Sequence, residues 1–257
     1  MKIIQLFLIC LLWLTDNCYA SSPYLYQLKI YHCQNEQQEE RVEHYLREAF
    51  VPALHRANIE AVGIFKPIAY KTTSLEKCIY VFIPYASFDL YLKLEETLTK
   101  DGIYQRAGAD YIQASYNTPP YHRIETILIQ AFPKSPIFNI PKLQGNRKDR
   151  VYELRSYEGP TEKLYKNKVE MFNLGDEIGL FKRLGFNAVF YGEVLAGSKM
   201  PNLMYLTTFE NMVSREEHWK AFNNDPYWKK LSSSPNYQHN VSHADIVFLH
   251  PTDYSDL

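Results

Sequence analysis

Neither sign of charge is in excess: 28 Lys plus Arg stand against 29 Asp plus Glu, a net charge of −1. A nucleic-acid-binding surface needs a basic surplus, so that class of partner is excluded. Beyond the amino terminus no apolar run is long enough to span a bilayer, which needs about 20 residues. Cysteine is scarce, with Cys10, Cys18, Cys33 and Cys78 the full set. Their spacing fits no structural metal site, and no metal is expected. Glycine is low too, at 10 residues. There is no glycine-rich phosphate loop, no G-x-S-x-G nucleophile turn and no catalytic-cysteine signature. No cofactor is predicted.

Aromatic residues are abundant instead: 21 Tyr, 14 Phe and 3 Trp in 257 residues. Such a chain can bury a large core, with tyrosine rings dry and their hydroxyls satisfied. The first residues read as an address. Met1-Lys2 is a positive start, Ile3 to Leu14 is apolar apart from Gln5, and Cys18-Tyr19-Ala20 offers small residues before a cut after Ala20. That is the pattern of a secretory signal peptide, with an uncleaved anchor as the alternative. The mature chain is expected to be exported, periplasmic or secreted.

The chain repeats itself. Tyr26-Gln27-Leu28-Lys29-Ile30-Tyr31 is echoed by Tyr152-Glu153-Leu154-Arg155-Ser156-Tyr157 at an offset of 126. Arg56 to Val62 is echoed by Arg183 to Val189, and Asp101-Gly102-Ile103-Tyr104 by Asp225-Pro226-Tyr227-Trp228, at offsets of 127 and 124. Blocks in one order at nearly one offset mark a tandem duplication. The boundaries expected are 1–20 for the signal peptide, 21–132 for the first domain, 133–149 for a linker and 150–257 for the second domain. The linker is rich in proline and ends in the polar run Asn146-Arg147-Lys148-Asp149.

Each copy reads strand, helix, strand, strand, helix, strand, which is an α+β, ferredoxin-like plan. Asn35 with Gln38, Ser214 with Glu217, and Asp225-Pro226 look like helix caps. Gly185 looks like a helix stop. Pro52 should disturb the helix that contains it. Tyr26, Leu28 and Ile30 form an apolar strand face, expected to lie under helices with Tyr152 as its second-half equivalent. The other face carries Gln27, Lys29 and Tyr31 in the first copy and Glu153, Arg155 and Tyr157 in the second. Two sheets bearing such stripes can pack face to face or close into a barrel with those residues inside. In this topology Cys33 and Cys78 end neighbouring strands, and an oxidising compartment favours a disulfide between them, with two buried thiols the alternative.

The second half carries Tyr152 to Tyr157, then Gly192-Glu193-Val194, Ser214 to Phe222 with His218-Trp219, and Asp225-Pro226-Tyr227-Trp228. Over roughly residues 150 to 252 these resemble a NIPSNAP domain. The first half resembles a diverged copy without a counterpart of His218-Trp219, so any site is expected to be asymmetric. With the signal peptide, the whole is similar to secreted two-domain NIPSNAP proteins. The resemblance implies the dimeric α/β-barrel superfamily, here with both units in one chain. That superfamily includes cofactor-independent monooxygenases and haem-handling proteins.

The residues themselves offer few chemical groups. Glu39/Glu40, Glu95/Glu96 and Glu216/Glu217 read as solvated helix faces. His239 and His243 are four apart but not on a helix, which argues against a metal pair. Glu153, Arg155, Tyr157, His218, Lys29 and Tyr31 are the candidates for a ligand pocket, with Arg155 suited to an acidic or polar ligand. Catalytic residues stay unassigned. The leading expectation is an exported binding or accessory module for a small molecule. The alternatives are a cofactor-independent monooxygenase or haem-handling enzyme, and a non-catalytic scaffold. A homodimer is compatible with all three.

Overall fold

The computed structural model describes residues 23–69 and 77–257. The signal-peptide expectation, with Cys10 and Cys18, falls outside them. Eight strands form one closed antiparallel barrel in the order β1-β3-β2-β8-β5-β7-β6-β4. They are β1 Leu25–Cys33, β2 Gly63–Pro67, β3 Lys77–Tyr85, β4 Arg123–Ala131, β5 Val151–Glu158, β6 Phe190–Ala196, β7 Asn202–Phe209 and β8 His243–Pro251. The first half supplies β4-β1-β3-β2 and the second β8-β5-β7-β6, the same internal order twice. The seams between halves are β2 with β8, where Lys66 faces His250, and β4 with β6, where Gln130 faces Glu193. Closure leaves no open strand edge among the described residues, the usual liability of a sheet. Among the described residues no helix is long and apolar enough to cross a membrane.

Nine α-helices pack outside the barrel among the described residues. In the first half these are α1 Glu36–Tyr45, α2 Val51–Arg56, α3 Phe88–Lys100, α4 Gly102–Ala107 and α5 Ala109–Ile112. In the second they are α6 Glu162–Asn173, α7 Glu177–Arg183, α8 Met212–Asn224 and α9 Pro226–Ser232. Asn35 Oδ1 caps α1 by accepting the Gln38 N–H at 2.9 Å. Asp225 Oδ1 caps α9 by accepting from Tyr227 N at 2.8 Å. Gly185 ends the second-half helix pair at φ +74°, a conformation that glycine adopts without strain. The cap of α8 differs from expectation: it is Asn211, not Ser214, and its Oδ1 accepts the Ser214 N–H at 2.9 Å, so the helix starts a turn earlier. A π-helical turn, Leu46–Phe50, joins α1 to α2 directly before Pro52, whose missing N–H breaks the regular ladder there.

The strand faces are opposite to those expected. Tyr26, Leu28, Ile30, Tyr152 and Leu154 point into the barrel and meet Phe65, Phe82, Phe190 and Met204 from other strands. Glu153, Arg155, Tyr157, Lys29 and Tyr31 lie on the outer face, under the helices. The reason is that β1, β3, β5 and β7 are covered on both faces over most of their length. Alternation tells one face from the other but not which is the interior. The interior of an eight-stranded barrel is narrow, filled by side chains or by one small ligand, and charge is costly in its middle. The wholly apolar stripe therefore goes inside. The outer stripe reaches gaps between helices, where long charged side chains meet solvent.

Register also corrects the disulfide. Cys33 faces Lys77 across β1 and β3, while Cys78 faces His32. The two cysteines are thus out of step by one residue, and successive side chains on a strand point to opposite faces. Cys78 joins the barrel interior, and Cys33 packs against the helix-side core of the first half. Neither forms a disulfide, and Cys78 Sγ lies 3.4 Å from His32 Nδ1.

One end of the barrel is plugged. Tyr26, Phe82 and Phe190 form a triangle with centroids 5.1–5.4 Å apart. Phe138 and Leu143, from the stretch between the halves, pack onto this end, so that stretch is more than a spacer. Leu257 enters the same cluster at 2% exposure. Arg147 ties the tail down by donating to the carbonyls of Ser255 and Leu257.

Candidate functional site

Period-two alternation puts Glu153, Arg155 and Tyr157 on one face of β5, with Tyr205 of β7 directly opposite Arg155. On α8, Arg215, Trp219 and Phe222 follow the i, i+4, i+7 spacing of one helix face. That face lies over β5. Glu153, at 0% exposure, is the centre of the contact. Its Oε1 accepts from Arg155 Nε at 2.6 Å and from Arg215 Nη2 at 2.9 Å. Its Oε2 accepts from Arg215 Nε at 2.8 Å and Trp219 Nε1 at 2.7 Å. A buried carboxylate is tolerated only with such pairing.

Arg155 is held on three sides. Its guanidinium carbon lies 3.7 Å from the centroid of the Trp219 ring, a close cation–π contact. Nη1 donates to Tyr157 Oη at 2.9 Å, and that hydroxyl pairs with Tyr205 Oη at 2.7 Å. Burial draws the Arg155 pKa down, but the Glu153 carboxylate and the hydrogen bond to Tyr157 help to outweigh it, and the group is held charged beyond its ordinary value. Arg215 is likewise raised, burial being outweighed by its bonds to Glu153. Burial pushes the Tyr205 hydroxyl well up, so it stays neutral.

A pocket of about 580 Å³ opens beside this cluster, between β5, α6, α8 and α9. Tyr157, Trp219, Phe222 and Trp228 supply its apolar walls. Arg155, Lys168, Arg215 and Lys220 line it, against Glu177 and Glu216. Counting Glu153 behind the wall, four cations meet three carboxylates. Lys168, 5% exposed, donates to Glu177 Oε2 at 2.9 Å and sits 4.8 Å from the Phe172 ring centroid. Every carboxylate of the pocket is therefore engaged by a cation: Glu153 by two arginines, Glu177 by Lys168 and Glu216 by Arg215.

Three of the candidate residues thus converge, Glu153, Arg155 and Tyr157. The other three do not join them. His218 is one residue from Trp219 and so turns about 100° away on the helix. It packs on Phe186 and Phe209, with Nδ1 at 2.7 Å from the Ser214 carbonyl oxygen. Lys29 and Tyr31 occupy the equivalent place in the first half. There Lys29 Nζ lies 5.3 Å from the Tyr31 ring centroid and 5.1 Å from that of Phe50. Tyr45, Tyr104, Tyr111 and Tyr121 crowd the space that forms the pocket in the second half, with Tyr45 and Tyr111 stacked at 3.7 Å. Lys168, Glu177, Tyr205, Arg215, Trp219 and Trp228 were not foreseen as one set. Only the Arg215–Trp219–Phe222 helix spacing signals part of it.

A second concavity lies inside the barrel, at the end opposite the plug. It measures about 210 Å³, with Leu154 and Met204 in its wall and Glu125, Lys199 and Asp245 among its polar lining. At this rim Glu158, His243 and Asp245 come within 4.8 Å of one another, but Lys199 already bonds Asp245.

Comparison with known proteins agrees with this architecture. A putative monooxygenase (as it is described) from Fusobacterium nucleatum subsp. nucleatum ATCC 25586 superposes with a TM-score of 0.57 at 10% identity, over 90% of this chain and 93% of that one. One described in the same words from Lactobacillus acidophilus NCFM gives 0.56 at 8% identity, over 90% and 94%. A NIPSNAP family protein from Agrobacterium tumefaciens str. C58 aligns at 19% identity with 46% of this chain and 98% of its own, at a TM-score of 0.37. No curated protein matches at the sequence level. The fold shared with the first two is the closed α/β barrel. Residues 152–256, which carry β5 to β8 and the whole Glu153 cluster, match the NIPSNAP family model.

Proposed function

We propose that this is an exported binding protein, built from two ferredoxin-like units, that holds a small acidic molecule with a planar apolar body in the pocket beneath α8. The observation that carries this reading is Arg155. Its guanidinium lies over Trp219, with Nε and Nη2 against Glu153 and Nη1 on Tyr157, so two of its five N–H groups are left at the wall of a cavity that also presents Lys168 and Arg215. A fixed guanidinium matches a carboxylate in two-point geometry. The indole and phenyl walls suit a ring. Because each acidic side chain of the pocket is tied to a cation, none is poised as a general base, which favours binding over proton-transfer chemistry. Export rests on the first twenty residues.

The two tryptophans after Ala20, Trp219 and Trp228, both line this pocket, so intrinsic fluorescence reports on it alone. Titration with benzoate and 4-hydroxyphenylacetate is expected to shift tryptophan emission saturably, with benzamide at least tenfold weaker. Arg155→Met is expected to remove that preference. Absence of a saturable shift with either acid at millimolar concentration overturns the reading.

The second reading is cofactor-independent oxygenation. The clustered cations support it, since they favour the anionic form of a phenol, which gives up electrons to oxygen more readily. Oxygen consumption on adding an electron-rich phenol would favour this reading. Binding without oxygen uptake favours the first.

A further inference from the structure

The barrel cavity stands apart from the pocket just described. It lies on the other face of β5, where Leu154 and Ser156 point inward between the outward Glu153, Arg155 and Tyr157. Its walls are mostly hydrocarbon: Ile30, Ile127, Leu154, Val194, Met204 and Val247. Among the polar groups of the lining, which gather toward the opening as Glu125, Ser198, Lys199 and Asp245, one lies deeper against the hydrocarbon wall. Asn202, 3% exposed at the start of β7, donates from Nδ2 to Ser156 Oγ at 2.8 Å. Its Oδ1 is buried and has no hydrogen-bond partner among the described residues. Turning the amide over does not remove the problem. Ser156 then serves the oxygen, and the NH₂ group is left instead. Unmatched buried polar atoms are rare, and one that lines a cavity points to an absent partner.

The cavity is too small for an extended ligand. An apolar cavity of about 150 Å³ takes benzene, so ~210 Å³ has room for about eight non-hydrogen atoms. Around the opening, Ser198 Oγ donates to Glu125 Oε1 at 2.8 Å and Lys199 bonds Asp245. Two carboxylates against one lysine leave this lining acidic, the reverse of the pocket under α8.

We propose that the barrel end is a second binding site, for a compact apolar molecule bearing one hydrogen-bond donor, a hydroxyl or an ammonium, that bonds to Asn202 Oδ1. The apolar walls hold the body, and the donor head completes the amide. An anionic head is disfavoured by Glu125 and Asp245.

Met204 lines the cavity, so methyl-labelled methionine provides an NMR probe inside it. Benzyl alcohol and benzylamine are the test ligands, with ethylbenzene as the donor-free isostere and benzoate as the acid. A saturable shift of the Met204 methyl is expected with benzyl alcohol, benzylamine or both, at least tenfold tighter than ethylbenzene or benzoate. The tighter of the two identifies the head group. Tryptophan emission should stay unchanged, which separates this site from the pocket under α8. Asn202→Leu should equalise benzyl alcohol and ethylbenzene; if that variant does not fold, the wild-type ratio decides. No Met204 shift with either donor-bearing ligand, or equal affinity for ethylbenzene or benzoate, overturns the proposal.

Discussion

Trp219 donates its indole N–H to Glu153 Oε2 at 2.7 Å, across the junction of α8 with β5. Arg155 and Arg215 bond the same carboxylate from two sides. Helix and barrel are therefore joined through a single buried anion. Glu153→Gln keeps the size but leaves two buried guanidiniums without their counter-charge and turns an amide NH₂ toward donors. Breaking one partner of a buried ion pair costs about 3–5 kcal/mol. Urea unfolding should show a loss of that order, with tryptophan emission shifted to the red as α8 loosens. A loss below about 1 kcal/mol would mean that the cluster is not what holds α8 down.

The register of β1 against β3 makes a prediction about thiols. Unreduced protein lacking the first twenty residues, unfolded in guanidinium, should titrate two thiols per chain, and reductant should leave its melting temperature unchanged. Burial, and next the nearby Glu39, push the Cys33 thiol up to about 11. Its alkylation by iodoacetamide should therefore rise with a midpoint near that pH, well above an ordinary thiol. A raised folded-state pKa means that Cys33 favours folding fully below its unfolded pKa. That contribution falls away as pH rises through about 11. An alkylation midpoint below pH 9 would show that the side chain is not packed as described.

Much of this architecture is legible in the sequence. The repeated Tyr26 and Tyr152 blocks announced equivalent strands, and the caps at Asn35 and Asp225 announced helix starts. Strand faces were not legible, because Leu25 and Tyr31 on one side of β1 are as buried as Tyr26 and Leu28 on the other. That same ambiguity hid the mismatch between Cys33 and Cys78, which is a matter of one residue in register. The pair Glu153–Arg155 was legible as a charge pair, two apart on one strand face. Its partners were not, because Lys168, Arg215 and Trp228 come from three different helices whose docking on β5 has no local signal. Asn202 carried no signal at all, since an orphaned atom is visible only once its neighbours are placed.

The acid limb of stability should depend on Glu39. Lys66 Nζ bonds Glu39 Oε1 at 2.6 Å and Lys77 Nζ bonds Oε2 at 3.3 Å, tying α1 to β2 and β3. Burial alone pushes the Glu39 carboxyl up, but Lys66 and then Lys77 outweigh it and hold it below the ordinary value. A lowered folded-state pKa contributes stability that is present above the unfolded pKa and is lost as pH falls through the folded one. The wild-type urea midpoint should therefore drop between pH 6 and pH 3, and Glu39→Gln should flatten part of that drop while lowering the midpoint at pH 6. Identical slopes in both proteins would assign the acid sensitivity to other carboxylates.

The seam between the halves sets the last expectation. Gly192 of β6 faces Ala131 of β4, at one of the two places where the first four strands meet the second four. A methyl group on Gly192 would lie 2.5 Å from the Gln130 carbonyl oxygen and 2.5 Å from Ile129 Cγ2. Neither neighbour yields easily: the first is backbone in the ladder, and the second is a β-branched side chain packed in the barrel interior. Overpacking of this kind costs about 1–3 kcal/mol. Gly192→Ala should therefore destabilise by that amount and weaken hydrogen-exchange protection at the facing amides of β4. Gly102→Ala is the control. It sits at the start of α4, where the nearest atom to an added methyl is the flexible end of Arg106 at 3.3 Å. Alanine is the better helix former, so that change should be neutral or stabilising by up to about 1 kcal/mol. Equal stability of the two variants would show that the halves do not close against one another through Gly192.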